Sequence, residues 1–291
     1  MDPKEPTPRG RSARVAALVG SALSNQLGAA SGSLAFPVLG PVGVVAVRQL
    51  IAAAVLLPVV RPRLRTFTRH QWWPVLLLAL VFGTMNLSLY AAVERIGLGL
   101  AMTLEFLGPL AVAIIGARRW AGKACALPAA AGVLAITQPG PSTDYLGIML
   151  ALTAAGCWAA YILLNKTVGA RIPGVQGTAA AAGVSATLFL PAALIVFATQ
   201  RPDVPTLLYA LGAGILATVV PYTADLLVLR RVPANLFGIL MSVNPVFAAT
   251  IGVLALHETL HPVQVAGIAL IAGANVAALR LRGGNGDASH G

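Results

Sequence analysis

The sequence predicts an all-α integral membrane protein whose ten transmembrane helices form two inverted five-helix repeats. Composition is the first observation: 57% of the residues are hydrophobic, 10% are charged, and the mean hydropathy is +0.82. Soluble domains carry about 25% charged residues, so this chain is too apolar to be one. The other two observations are ten long apolar runs and a strong bias in where lysine and arginine lie between them.

Each apolar run is long enough to cross a bilayer, because about 20 helical residues span a hydrocarbon core of about 30 Å. The first run is too long for the apolar region of a signal peptide, so we expect it to be retained. Residues 1–14 are predicted to be a disordered cytoplasmic tail, and the glycine-rich residues 282–291 a flexible one. The predicted helices cover residues 15–35, 41–60, 72–92, 97–116, 121–138, 145–165, 176–199, 206–229, 234–256 and 262–281.

The basic residues give the predicted orientation, because cytoplasmic connections carry the excess of lysine and arginine. With the N-terminus inside, 17 of the 20 basic residues fall on the cytoplasmic side, and only Arg95 and Arg201 fall on the outer side. The remaining one, Arg48, lies within the second helix. Both termini are therefore predicted to be cytoplasmic. The net charge of +11 is spread over these connections, so it does not indicate nucleic-acid binding.

The two halves of the chain resemble each other in sequence. Residues 94–110 align with residues 230–246, and residues 27–36 align with residues 152–161. This divides the chain into five-helix repeats at 15–138 and 145–281. Because five is an odd number, the second repeat is expected to lie upside down in the membrane. Inverted repeats are common among secondary transporters, which bind substrate near the midplane between the repeats.

Glu105 lies near the middle of the fourth predicted helix, and Arg48 lies at similar depth in the second. An acid at the bilayer centre costs about 2.5–3.5 kcal/mol on insertion scales, so it is expected to face a protein interior or a cavity. Two interpretations stay open. In one interpretation, Arg48 and Glu105 only neutralise each other and fix the packing of their helices. In the other, Glu105 binds a substrate ammonium or a proton, while Arg48 holds a carboxylate or modulates proton binding.

Other polar side chains recur at helical spacing within the apolar runs. Each set is either a packing contact between helices or part of a cavity lining. Asp225 has a further alternative, which is to pair at the inner interface with Arg230 and Arg231. The candidates for binding substrate or protons are Asn86 and Tyr90 on the third helix, Trp158 and Tyr161 on the sixth, and Tyr222 and Asp225, with Thr218 on the same face, on the eighth; Asn25 and Ser21 lie on a stripe of small residues in the first.

Three prolines lie inside predicted helices: Pro109, Pro221 and Pro245. Each removes a backbone hydrogen bond and is predicted to kink its helix. Kinks at corresponding positions of the two halves would suit a gate, although rigid helices also contain them.

One motif indicates an enzyme. Residues 257–261, His-Glu-Thr-Leu-His, satisfy the H-E-x-x-H pattern of zinc proteases, which carry it on a helix. Pro262 follows directly and disfavours helical geometry at His261, so the two histidines need not share a helix face. The sequence offers no third ligand at similar depth. We therefore keep a membrane zinc protease only as a minor alternative and predict no metal, no cofactor and no catalysis.

Four segments of the chain carry a family resemblance: MNLSLYAAVERIGLGLAMTLEFLGPLAVAI, AGCWAAYILL, VPYTADLLVL and FGILMSVNPVFAA, the last followed by Glu-Thr-Leu. The most specific part is LEFLGPLAVA with the Met-Asn ahead of it. These segments resemble the EamA group of the drug/metabolite transporter superfamily, and within it the bacterial inner-membrane threonine and homoserine exporters. The resemblance covers essentially all ten helices.

This resemblance implies ten helices in two inverted repeats, a central cavity, and proton-linked export of amino acids or related small metabolites. Glu105, Arg48, Asn86 and Asp225 match positions where such exporters have polar or charged residues. The sequence departs from the family at Asn244, because such exporters often have an acid before the ninth-helix proline. The expected partners are a small-molecule substrate, protons and the lipid bilayer, with the protein a monomer or homodimer. Efflux of bulkier drugs by the same fold is the alternative.

Overall fold

Helices make up the regular structure of the described chain. The computed structural model describes residues 8–115, 124, 126–137, 143–173, 175–220 and 244–283. It also contains a 3₁₀ turn at Leu64–Thr66 and a π-helical turn at Ile215–Val219. The helices in these ranges are α1 (Pro8–Leu34), α2 (Phe36–Val60), α3 (Arg69–Ile96), α4 (Leu98–Glu105), α5 (Leu107–Ile115), α6 (Ala126–Thr137), α7 (Tyr145–Arg171), α8 (Gln176–Gln200), α9 (Val204–Gly214), α10 (Asn244–Leu256) and α11 (Pro262–Gly283).

Helix lies within every predicted span, and several described helices begin or end some residues away from the predicted bounds. The first helix begins at Pro8, inside the predicted tail. The second is interrupted at Gly40, whose φ of 61° is left-handed, so its long regular part begins at Pro41. Four described helices, α2, α3, α7 and α8, are long and apolar enough to cross a membrane, and shorter apolar helices accompany them. The protein is therefore an integral, multi-pass membrane protein, and the number of crossings stays a prediction.

The fourth predicted span consists of two helices that meet at Phe106. Pro109 has no N–H to donate to the carbonyl of Glu105, and its ring would clash with that carbonyl. The helix therefore breaks one turn before the proline, and Glu105 is the last residue of α4. Of the other two prolines, Pro221 lies outside the described residues. Pro245 is the second described residue of α10, and the residues before Asn244 lie outside the described part of the chain, so a kink at Pro245 stays a prediction.

Helices from the two predicted halves pack against each other throughout the described structure. α3 packs on α7 and α8, α2 on α8, α1 on α9 and α10, α4 on α10, and α6 on α11. The main core is built from alanine, valine and leucine, with Tyr90 its largest fully buried side chain. Large apolar side chains such as Leu80, Leu194 and Leu254 point outward, as expected where lipid replaces water.

The closest approach of α5 to α7 depends on Gly108. A Cβ at this position would overlap the backbone carbonyl oxygen of Ala155. Small residues let transmembrane helices pack backbone to backbone, which supplies much of their attraction in lipid.

We predict that Gly108→Ala destabilises the protein by about 1–3 kcal/mol, because the added methyl group must push α5 away from α7. The measurement is the apparent melting temperature of the detergent-purified protein. Gly156→Ala is the matched control, since a Cβ there meets no atom within 4 Å. Equal melting temperatures for the two variants would contradict the proposed tight contact.

Candidate functional site

A cavity of about 180 Å³ lies among α1, α2, α3, α4, α7 and α10. It is smaller than the roughly 300–1,000 Å³ of pockets for drug-sized ligands. Polar side chains from five different helices line it, together with two methionines and two aromatic rings. The lining residues are Ser21, Ala22, Asn25, Gln26, Arg48, Met85, Asn86, Leu89, Met102, Glu105, Phe106, Trp158 and Asn244.

Arg48 reaches this cavity from α2, and hydrogen bonds to two neighbouring segments hold it. Its Nη1 donates to the hydroxyl of Tyr90 on α3 (3.2 Å). Its Nε donates to the hydroxyl of Thr218 (3.2 Å) and its Nη2 to the carbonyl of Ala217 (3.0 Å), both in the π-helical turn. These bonds join α2 to α3 and to the π-helical turn.

Glu105 lies in the same cavity, at the end of α4, and is 4% exposed. The predicted Arg48–Glu105 ion pair does not form: among the described residues the only ion pair joins Arg95 and Asp144 (3.0 Å) at the ends of α3 and α7. The reason is that Tyr90, Thr218 and Ala217 already hold the guanidinium. The two charges share one cavity without direct contact.

Gln26 was not among the predicted site residues, yet it joins α1 to α10 beside the cavity. Its Nε2 donates to Oδ1 of Asn244 (3.1 Å), and both residues line the cavity. Gln26 is completely buried, and its Oε1 has no hydrogen-bond partner among the described residues. An amide side chain within a predicted membrane helix is the sequence signal that would have identified it.

The remaining predicted residues divide into three groups. Asn86 and Trp158 line the cavity. Nδ2 of Asn86 donates to the carbonyl of Phe82 (2.8 Å), and the ring centroids of Trp158 and Phe106 are 4.6 Å apart. Tyr90 and Tyr161 are not part of the lining. The hydroxyl of Tyr90 accepts a hydrogen bond from Arg48, and the Tyr161 ring packs on Phe82 with ring centroids 5.2 Å apart. Tyr222 and Asp225 lie outside the described residues.

The H-E-x-x-H motif lies in the connection between α10 and α11, outside any helix. Its Glu258 is occupied elsewhere: Oε1 accepts from the backbone N–H of Leu98, and Oε2 from that of Gly99 (3.3 Å), at the start of α4. The helical arrangement of a zinc protease is therefore not formed. The motif predicted only a metal site, and the contact of Glu258 with α4 was not predicted.

Comparisons with known proteins agree on the family. Residues 145–279 match the model of the EamA-like transporter family. The threonine/homoserine exporters RhtA of Salmonella typhimurium and Escherichia coli K12 are each 33% identical over 256 residues, which cover 87% of this chain and 86% of each relative. The chain belongs to the EamA-like transporter family. A solved crystal structure shares the fold at 21% identity, with a TM-score of 0.60, over 90% of this chain and 97% of that one.

Within this transporter, Tyr90→Phe removes one of the three described acceptors of Arg48 and leaves a partly buried guanidinium N–H without that acceptor. We expect a loss of about 1–3 kcal/mol in unfolding free energy. Thermal unfolding of purified protein measures it. Tyr209→Phe is the control, because the Tyr209 ring is 41% exposed and away from the cavity. A melting temperature for Tyr90→Phe equal to that of the control would show that the hydroxyl does not hold Arg48.

Proposed function

We propose that this protein exports small hydroxy amino acids, of the threonine and homoserine kind, across the bacterial inner membrane by exchange for protons. The family is one of transporters, and the relatives named threonine/homoserine exporters match most of the chain. The observation that carries the proposal is the cavity: it combines one central carboxylate, one guanidinium and several amides within a volume suited to a small solute.

The cavity chemistry complements an amino-acid zwitterion. Glu105 provides a negative charge for the ammonium group. A guanidinium has five N–H donors, and three atoms of Arg48 already donate to described acceptors, which leaves donors for a substrate carboxylate. Oε1 of Gln26 has no hydrogen-bond partner within the described part of the chain, and it offers an acceptor for a hydroxyl on the substrate. Each of these groups comes from a different helix.

Proton exchange follows from competition for Glu105. A protonated carboxylic acid is neutral and has no charge to offer an ammonium ion, so proton and substrate binding oppose each other. Thermodynamic linkage makes this opposition reciprocal. A proton that arrives from the outer side therefore displaces the substrate, and the protonated site returns inward without it.

The transport cycle requires that the cavity open alternately to each side. Two inverted five-helix repeats, residues 15–138 and 145–281, would provide this by rocking about the midplane, with both termini in the cytoplasm. The packing of α4 on α10 and of α1 on α10 supports a cavity between these proposed repeats. The break at Phe106 next to Glu105 gives the first repeat a point of bending.

Efflux of larger apolar compounds is the second candidate, and the lining favours it in one respect. Met85, Met102, Phe106 and Trp158 form an adaptable apolar wall of the kind found in promiscuous sites. A substrate without charged groups would nevertheless form no ionic contact with Glu105 or Arg48. The size of the cavity also favours a small solute.

The decisive experiment is counterflow in proteoliposomes with labelled threonine and homoserine, with and without a pH gradient. We expect saturable exchange that the gradient drives. Glu105→Gln should lower gradient-driven transport about tenfold or more, because a charge-assisted contact to the ammonium is lost. Glu94→Gln is the matched control, since Glu94 is exposed at the outer end of α3.

Undiminished, gradient-dependent transport by Glu105→Gln would remove Glu105 from the mechanism. Absence of exchange with either amino acid, from folded and inserted protein, would reject the proposed substrate class. If neither amino acid is exchanged but a lipophilic cation is taken up saturably, the drug-efflux candidate is favoured.

A further inference from the structure

Glu258 belongs to the second proposed repeat, but its carboxylate caps a helix of the first. The α4 helix begins after Gly97, a residue without a side chain to cap it. The first N–H groups of a helix have no partners within it and carry partial positive charge. Two of them, those of Leu98 and Gly99, donate to the two oxygens of Glu258. A carboxylate from a distant part of the chain therefore replaces the local cap.

The backbone around Glu258 is shaped for this contact. His257 adopts a left-handed φ of 56°, and the N–H of Glu258 donates to the carbonyl of Gly252 (3.0 Å), which turns the chain back toward α4. Glycine lies on both sides of the carboxylate. A Cβ at Gly97 would lie 2.9 Å from Cδ of Glu258, and a Cβ at Gly252 would overlap its Oε2. Both positions therefore require the smallest residue while the bond is formed.

Below this bond, α4 and α10 close the predicted outer side of the cavity. A Cβ at Gly99 would lie 2.9 Å from Cα of Ala249, so the two backbones are in contact. Ala101 of α4 and Ala248 of α10 are completely buried. Glu105 lies at the opposite end of α4 from the Glu258 bond. Opening the site to the outside requires α4 and α10 to separate, and the Glu258 bond spans that boundary.

We propose that Glu258 is a positioning residue that latches the outer gate. Its carboxylate holds the start of α4 against the α10–α11 connection while the site is closed to the outside, and releases α4 when the site opens outward. This inference rests on the proposed alternating-access function and adds the element that controls which side is open. Glu258 does not contact the substrate.

The test measures which side of the cavity is accessible. Single-cysteine reporters are placed at Ala101, on the outer path, and at Ser21, in the cavity wall nearest the predicted cytoplasmic side, after replacing Cys125 and Cys157. An impermeant thiol reagent is applied from the outside for the first reporter and from the inside for the second. Labelling rates are compared for the protein with the native Glu258 and for the variants Glu258→Gln and Glu258→Ala. Glu94→Gln is the matched charge control.

We expect Glu258→Ala to raise outside labelling at the Ala101 reporter about tenfold and to lower inside labelling at the Ser21 reporter. Glu258→Gln should lie between, because it keeps one acceptor oxygen but loses the charge. A purely structural cap would loosen the fold and raise both rates, which would overturn the latch. Unchanged rates at both reporters would also overturn it.

The labelling assay needs no substrate. If counterflow with threonine and homoserine fails, the accessibility result still decides whether Glu258 latches the gate. If counterflow succeeds and labelling does not respond to Glu258, the amino-acid proposal survives and the latch is rejected.

Discussion

The arrangement of the site depends on one requirement, which is that the guanidinium of Arg48 be paired inside an apolar protein. A charge without partners there would cost several kcal/mol. Tyr90, Thr218 and the carbonyl of Ala217 meet this need and tie α2 to α3 and to the π-helical turn. Because these three hydrogen bonds fix the position of the guanidinium, Arg48 does not form an ion pair with Glu105. The acid and the base can then face one cavity as separate binding groups.

The α4 helix is the second organising element, since both of its ends are defined by unusual interactions. At its start the carboxylate of Glu258 accepts the N–H groups that a local side chain would ordinarily cap. At its end Pro109 prevents the helix from continuing, so Glu105 occupies the break. A short helix bounded in this way can move as a unit, which longer uninterrupted helices cannot do without bending.

Much of this could be predicted from the sequence, because apolar runs and isolated polar residues are strong signals in membranes. The helical spans, and the positions of Glu105, Arg48, Asn86, Trp158 and Asn244 around one cavity, follow from such signals. Contacts between distant helices could not be predicted. Spacing gave Tyr161 the same face as Trp158, but three residues turn a helix by about 300°, so the side chains diverge by about 60°. Gln26 and Glu258 acquire their roles only through partners more than 150 residues away.

The π-helical turn at Ile215–Val219 has an evolutionary consequence. A π-helical turn corresponds to a single residue inserted into an α-helix, and such insertions concentrate at functional positions. Here the inserted residue sets the reach between Arg48 and its two acceptors at positions 217 and 218. Deleting one residue would restore the α-helical register and rotate everything beyond it by about 100°. A chain without this residue would therefore have to hold the arginine at position 48 by contacts other than those with positions 217 and 218.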